Sequence, residues 1–231
     1  MMENYKVIIR EFNAVRQASP RRLMLCLRFG SSRLTIGYGS GDEMGAMNYN
    51  PRKAAQVIAY FALRTGKRSI DLIKAIKLVY LGDRESIARW GEPILLEPRV
   101  ALPLGPVNDL TYAYAKGERE DREGWSAFLE DRHENTLQLR EGVSVEDLDE
   151  LSEADIEALA GVWDRVGFME PMALSMWTHK EGNVPEWHDP KNSSRPIPLA
   201  RIMREVGMAE PDRSAVEIEQ RRSLAAILGS D

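Results

Sequence analysis

The sequence predicts a mainly α fold: a compact helical domain with a small β element and Pro-rich connecting loops. Three observations carry that expectation. Apolar residues recur at helical spacing in several separated segments. Those segments open at Asn, Ser or Pro and stop at Gly, as capped helices do. Prolines gather in the stretches between them, where they interrupt the helical pattern.

The elements follow in chain order. Residues 1–46 are Arg-rich and pass into Gly37-Tyr-Gly-Ser-Gly41, a flexible composition. A short helix over 3–16 and a strand over 33–38 are predicted there. Clear helix punctuation begins only afterwards. Residues 1–46 therefore read as a poorly ordered arm or a misassigned start upstream of Met44 or Met47, with a small docking arm as the alternative. A first helix over 51–65 has Asn50 as N-cap, Pro51 at its first position and Gly66 just past its end. Ala54, Ile58, Phe61 and Ala62 share one of its faces. A second helix over 70–90 is capped by Ser69 and stopped by Gly91, with Leu72, Ile76, Val79, Ile87 and Trp90 as its stripe. Residues 92–104 contain Pro93, Pro98 and Pro103, with 94–96 and 100–102 as extended pieces.

A third helix is expected from Pro106 to Gly117, carrying Leu110, Tyr112 and Tyr114. After a charged linker over 117–124 come a short helix over 125–132 and an alternating edge strand over 136–140. Ser152 and Asp155 make a capping box, and Leu151 with Ile156 a hydrophobic staple. That helix is expected to bury Ile156, Leu159, Ala160 and Trp163 and to end by Gly167. A shorter helix covers 171–178, and a long loop rich in Pro, Asn, Ser and Trp covers 180–198. Helices over 198–206 and 213–228 follow, the second with Val216, Gln220, Leu224 and Ile227 on one face. The expected organisation is an arm over 1–46, a helical domain over 47–190 and a C-terminal helical extension over 191–231 packing on it. No internal repeat is visible.

Composition narrows the function classes. The chain has 231 residues, 43% apolar and 29% charged, which suits a real core under a solvated surface. Its net charge is −5. Residues 1–46 carry seven Lys+Arg against four Asp+Glu, so the remainder carries −8. An acidic body disfavours phosphate backbones and suits basic protein partners, and no nucleic-acid partner is expected. Cys26 is the one cysteine, so an internal disulfide is excluded and a reducing compartment fits. No segment reaches the about 20 apolar residues that span a bilayer. The signal-like run over 21–27 is interrupted by Arg28. The expectation is a cytoplasmic protein with no membrane association.

Catalytic signatures are missing. Cys26 is the sole thiol, and there is neither a G-x-S-x-G nor a phosphate-binding glycine loop. No catalytic group and no cofactor is expected. One alternative is a metal-dependent enzyme built on His179, Glu181 and His188, which fall close together in the 179–189 loop. Their spacing matches no tight helical pair, and a polar surface cluster is the commoner meaning of such a group. Asp83 falls within the apolar stripe of the second helix, so it needs a partner, and an inter-helix salt bridge is expected. Lys77, Tyr80 and Arg84 share a neighbouring face at i, i+3 and i+7, either a binding surface or a solvated one. Trp90 and Trp163 are expected in the core, and Trp177 and Trp187 at an interface.

Five ordered motifs resemble one family. Asn50-Pro-Arg-Lys-Ala-Ala-Gln-Val-Ile-Ala-Tyr-Phe61, Ile76-Lys-Leu-Val-Tyr-Leu-Gly-Asp-Arg84 and Ala101-Leu-Pro-Leu-Gly-Pro-Val107 are similar to successive segments of the Panacea antitoxin domain, also called SocA-like. Leu151-Ser-Glu-Ala-Asp-Ile156, and Leu174-Ser-Met-Trp-Thr-His179 with Pro185-Glu-Trp187, resemble its C-terminal block. The resemblance spans roughly 47–190 and leaves out residues 1–46, where no helix-turn-helix is visible. It implies a mostly helical antitoxin of a type II-like toxin–antitoxin system, neutralising a cognate protein toxin from a neighbouring gene by direct binding. The alternative it implies is a proteolytic adaptor that delivers the toxin to a AAA+ protease such as ClpXP. The candidate toxin-binding set is Lys77, Tyr80, Asp83, Arg84, Pro106, Trp177, Thr178, His179 and Trp187.

Overall fold

A computed structural model of the chain describes residues 49–121 and 124–228. The helices are α1 (Pro51–Arg64), α2 (Leu72–Trp90), α3 (Asp109–Ala115), α4 (Glu153–Val166), α5 (Pro171–Thr178), α6 (Leu199–Glu205) and α7 (Pro211–Leu228). The strands are short: β1 (Ser69–Asp71), β2 (Arg99–Leu102), β3 (Gly105–Asn108), β4 (Thr136–Gln138) and β5 (Arg195–Pro196). The fold is mainly α with a small β element, as the sequence predicts. The expected helix over 3–16, the strand over 33–38 and Cys26 lie outside the described residues.

Local signals place most helices. The Asn50 side chain accepts a hydrogen bond from the Lys53 N–H at 2.9 Å, which starts α1. Ser152 and Asp155 form the reciprocal capping box of α4, at 3.1 and 3.0 Å. The start of α2 differs from expectation. Its N-cap is Asp71, whose carboxylate accepts from the Ile73 and Lys74 N–H groups. Ser69 instead enters β1, which pairs antiparallel with β4 (Ser69↔Gln138). A strand partner from far along the chain takes the first residues the helix was expected to hold.

The third helix also starts later than predicted. Pro106 lies on β3, and Asp109 opens α3. β3 pairs antiparallel with β2 (Val100↔Val107), and β5 adds on the other side of β2, giving the order β3-β2-β5. Residues 94–96 bend rather than form a strand, and only a single 3-10 turn, Trp125–Ala127, occupies the expected helix over 125–132.

α2 is the hub: it contacts α1, α3, α4, α5, α6, β1 and β3. Gly82 lets α4 approach closely, since a Cβ there would stand 2.6 Å from Leu159 Cδ2. One core cluster runs from Tyr49 to Ile218 and includes Phe61, Leu78, Leu159, Leu174 and Met203. Several apolar faces are turned from their expected direction. α4 buries Ala158, Leu159, Val162 and Val166, leaving Ile156, Ala160 and Trp163 half-buried. Trp90 is 51% exposed, because α2 ends there at the left-handed Gly91 and the last turn projects beyond the core. On α7 Ile218 is buried, whereas Val216 and Leu224 face solvent. Among the described residues no helix is long and apolar enough to cross a membrane.

Candidate functional site

The face of α2 that carries Lys77, Tyr80 and Arg84 points inward, towards β3, the end of α5 and the loop that follows it. Lys77 is fully buried, and its Nζ donates to the Pro106 carbonyl at 2.9 Å. Burial without a carboxylate partner holds its ammonium well below the usual lysine range. Three residues on, the Tyr80 hydroxyl donates to Glu186 Oε1 at 2.9 Å. Burial, then the Glu186 charge, pushes that phenol well above its ordinary value. Arg84 Nε reaches the same oxygen at 2.8 Å, while Glu186 Oε2 is buried without a partner.

Gly105 seals the inner wall. Its φ is +100°, a conformation L side chains rarely adopt. A Cβ would stand 2.4 Å from Thr178 Oγ1, 3.1 Å from Lys77 Nζ and 3.2 Å from His179 Nε2. Thr178, Lys77 and His179 therefore converge on one point of β3. His179 Nε2 is buried with no hydrogen-bond partner. Its ring stacks on Trp187 with centroids 4.2 Å apart and planes 8° from parallel. Burial first, and then the Lys77 charge, hold His179 below the usual histidine range. The Trp187 Nε1–H donates to the Leu102 carbonyl at 3.0 Å, which fixes the stacked pair against β2.

Asp83 belongs to a second buried network behind the first. Its carboxylate accepts from Leu95 N (2.9 Å), Arg99 Nη2 (2.7 Å) and Asn108 Nδ2 (2.8 Å). The ion-pair partner is a strand residue, not the helical one expected. Arg99 also donates to the Leu95 and Glu97 carbonyls. Glu97 accepts from the Thr111 N–H at 2.8 Å and from the Thr111 hydroxyl, which meets the Tyr49 hydroxyl at 3.1 Å. Burial raises Glu97 to about 7, against the pull of its Thr111 hydrogen bonds. The two carboxylates thus share the Asn108 amide, and of the two only Asp83 pairs with the Arg99 guanidinium. Removing either partner of such a pair costs about 3–5 kcal/mol.

The structure gathers the nine candidate residues around α2 and divides them. Lys77, Tyr80, Asp83, Pro106 and Thr178 are interior; Arg84, Trp177, His179 and Trp187 are half-buried. The expectation of a solvent-facing Lys77 and Tyr80 is corrected, because β3 and the loop carrying Glu186 cover that face of α2. Sequence reasoning passed over Glu97, Arg99, Asn108, Thr111 and Gly105. A signal was available for two of them: Glu97 and Arg99 are the only charges between Glu92 and Asp109. Charges inside an apolar run call for each other.

Both ring nitrogens of His188 lie within 3.0 Å of Arg201 Nη2, a cation where a metal would have to sit. Among the described residues no group of three His, Cys, Asp or Glu side chains stands at metal-holding spacing.

No curated protein and no solved structure matches the chain. A protein family does: residues 76–188 match the family described as Antitoxin SocA-like, Panacea domain. The matched residues begin on α2 at Ile76 and end at His188, so they enclose all nine candidate residues and both buried networks apart from Tyr49. The Asn50–Phe61 motif lies ahead of the match. The likeness to the SocA-like, Panacea-domain antitoxin family therefore rests on residues 76–188 of the chain.

Proposed function

We propose that this protein is the antitoxin of a toxin–antitoxin pair and neutralises a protein toxin from a neighbouring gene by direct binding, without catalysis. The observation that carries the reading is the family match over residues 76–188, which coincides with the buried scaffold around α2. Lys77, Tyr80, Asp83, Pro106 and Thr178 hold that scaffold in place. Arg84, Trp177, His179 and Trp187 meet the toxin. The aromatic pair His179–Trp187 is stacked and anchored before any partner arrives, so little side-chain entropy is lost on binding. Occlusion needs only a standard interface of about 1,600 Å², provided a few such anchors are at its centre.

The test is genetic and then physical. Each neighbouring reading frame is expressed alone and together with this protein. One of them is expected to arrest growth, to be rescued by co-expression, and to co-purify with this protein in a fixed ratio. If neither neighbouring frame is toxic, or if rescue occurs with no complex, the reading fails.

A further inference from the structure

α5 has no charged residue along its eight positions. Its inner side, Leu174, Ser175 and Thr178, is buried. Its outer side is apolar as well: Met172 is half-buried, Ala173 is exposed, and Met176 is 62% exposed. Phe168, in the turn that leads into α5, is 76% exposed. A helix apolar on both sides is ordinarily buried on both sides. Exposed methionine and phenylalanine on adjacent turns mark a contact surface, and methionine adapts its shape to what it meets.

The segment after α5 supplies the charge. Lys180 continues the line of Met172 and Met176 at steps of four, and its N–H bonds back to the Trp177 carbonyl at 3.2 Å. Next to it, His179 stacks on Trp187, and His188 meets Arg201. Arg84, Arg89, Arg165 and Arg204 each reach a carboxylate. Among the described residues Lys180, Lys191, Arg195 and Arg201 reach none. Glu186 in this segment is buried and spent on Tyr80 and Arg84. That leaves Glu181 and Asp189 as its exposed acids, and Asp189 is turned to the Lys191 N–H at 2.7 Å. Other described cations, Lys67, Arg68 and Arg132 among them, also reach no carboxylate; these four lie in the segment that follows the apolar face of α5.

We infer that the outer face of α5 and the cations that follow it form a docking surface for an acidic amphipathic helix of a partner protein. The partner's apolar side covers Phe168, Met172 and Met176; its carboxylates meet Lys180 and Arg201. The proposal rests on the antitoxin reading for the identity of that partner, which would then be the toxin itself. It narrows the earlier expectation of a basic partner, since the charge at this face is opposite to that of the whole molecule.

The probe is a fluorescein-labelled designed helix with leucine on one face and glutamate on the other, with a lysine counterpart and a duplex DNA as comparisons. The full chain is expected to bind the acidic helix at least tenfold more tightly than the basic one. Met176→Glu and the double variant Lys180→Glu/Arg201→Glu are each expected to weaken that binding tenfold or more, while Val216→Glu on α7 leaves it unchanged. All four proteins should unfold at similar temperatures, because the altered residues lie outside the core. Equal binding of the two peptides, tighter binding of the DNA, or wild-type affinity in both surface variants overturns the proposal. The same variants are then tried in the growth rescue. Full rescue by Met176→Glu removes this surface and leaves the antitoxin reading standing. If neither neighbouring frame is toxic, the antitoxin reading falls while the peptide titration still decides the surface.

Discussion

Glu97 shows what a single buried side chain contributes. Burial is the main cause of its raised value, the Asp83 charge adds to it, and the Thr111 hydrogen bonds and Arg99 oppose it. Its pKa goes from an ordinary 4.5 to about 7 on folding, so the folded protein holds this proton more tightly than the unfolded chain. The associated stability is complete below pH 4.5 and is lost as pH rises through about 7. The loss is about 3 kcal/mol. Urea unfolding from pH 5 to 8 is therefore expected to show wild type falling relative to Glu97→Gln. Taking the difference between the two profiles cancels His179 and the other groups that titrate there. Parallel profiles would show that Glu97 keeps its charge in the folded state. Neither Glu97 nor its hydrogen-bond partners Asn108 and Thr111 belong to any motif. Its environment comes from Asn108 and Thr111, more than ten residues away, and from Asp83 on a different element.

At the scale of elements, caps were the most legible signals and strands the least. The Ser152 capping box satisfies its own donors within four residues, so no distant contact is needed to place the start of α4. Ser152→Ala is expected to cost about 1 kcal/mol, read as a lower urea midpoint at unchanged slope. No measurable shift would mean that packing of α4 on α2 holds the first turn without the cap. Pro106 shows the opposite case. Proline suits the first turn of a helix, and it is equally at home on an edge strand, where no N–H is required. Only the pairing of Val107 with Val100 chooses between them. Ser69 was read as a helix cap for the same reason: its partner, Gln138, lies on a strand remote in the sequence.

For the molecule as a whole, the distribution of core contacts says which parts are dispensable. α6 places Ile202 and Met203 in the core, whereas the described side chains of α7 add Ile218 and part of Ala215. The Arg221–Glu92 pair that ties α7 to the end of α2 is solvent-exposed and worth little. A chain ending at Ala209 is therefore expected to fold and to lose about 2 kcal/mol, the value of one buried isoleucine. Chemical denaturation and circular dichroism check this. Loss of helical signal well beyond the eighteen residues of α7 would show that the core depends on it.

Local patterning was enough to place most of the helices, the Asn50 and Ser152 caps and the motifs inside residues 76–188, because each of those rests on residues within a turn or two of one another. It was not enough to say which polar residues face water. A helix read alone presents its polar side to solvent, which is where the pattern puts Lys77 and Tyr80, while it gives Asp83 a partner on another helix. Their surroundings are completed by Pro106, Glu186 and Arg99, which chain order keeps apart and folding brings to α2. Burial is a property of what packs from elsewhere. For that reason the inward turn of this face, and the outward turn of Met176 and Lys180, became visible only once all the elements stood around α2.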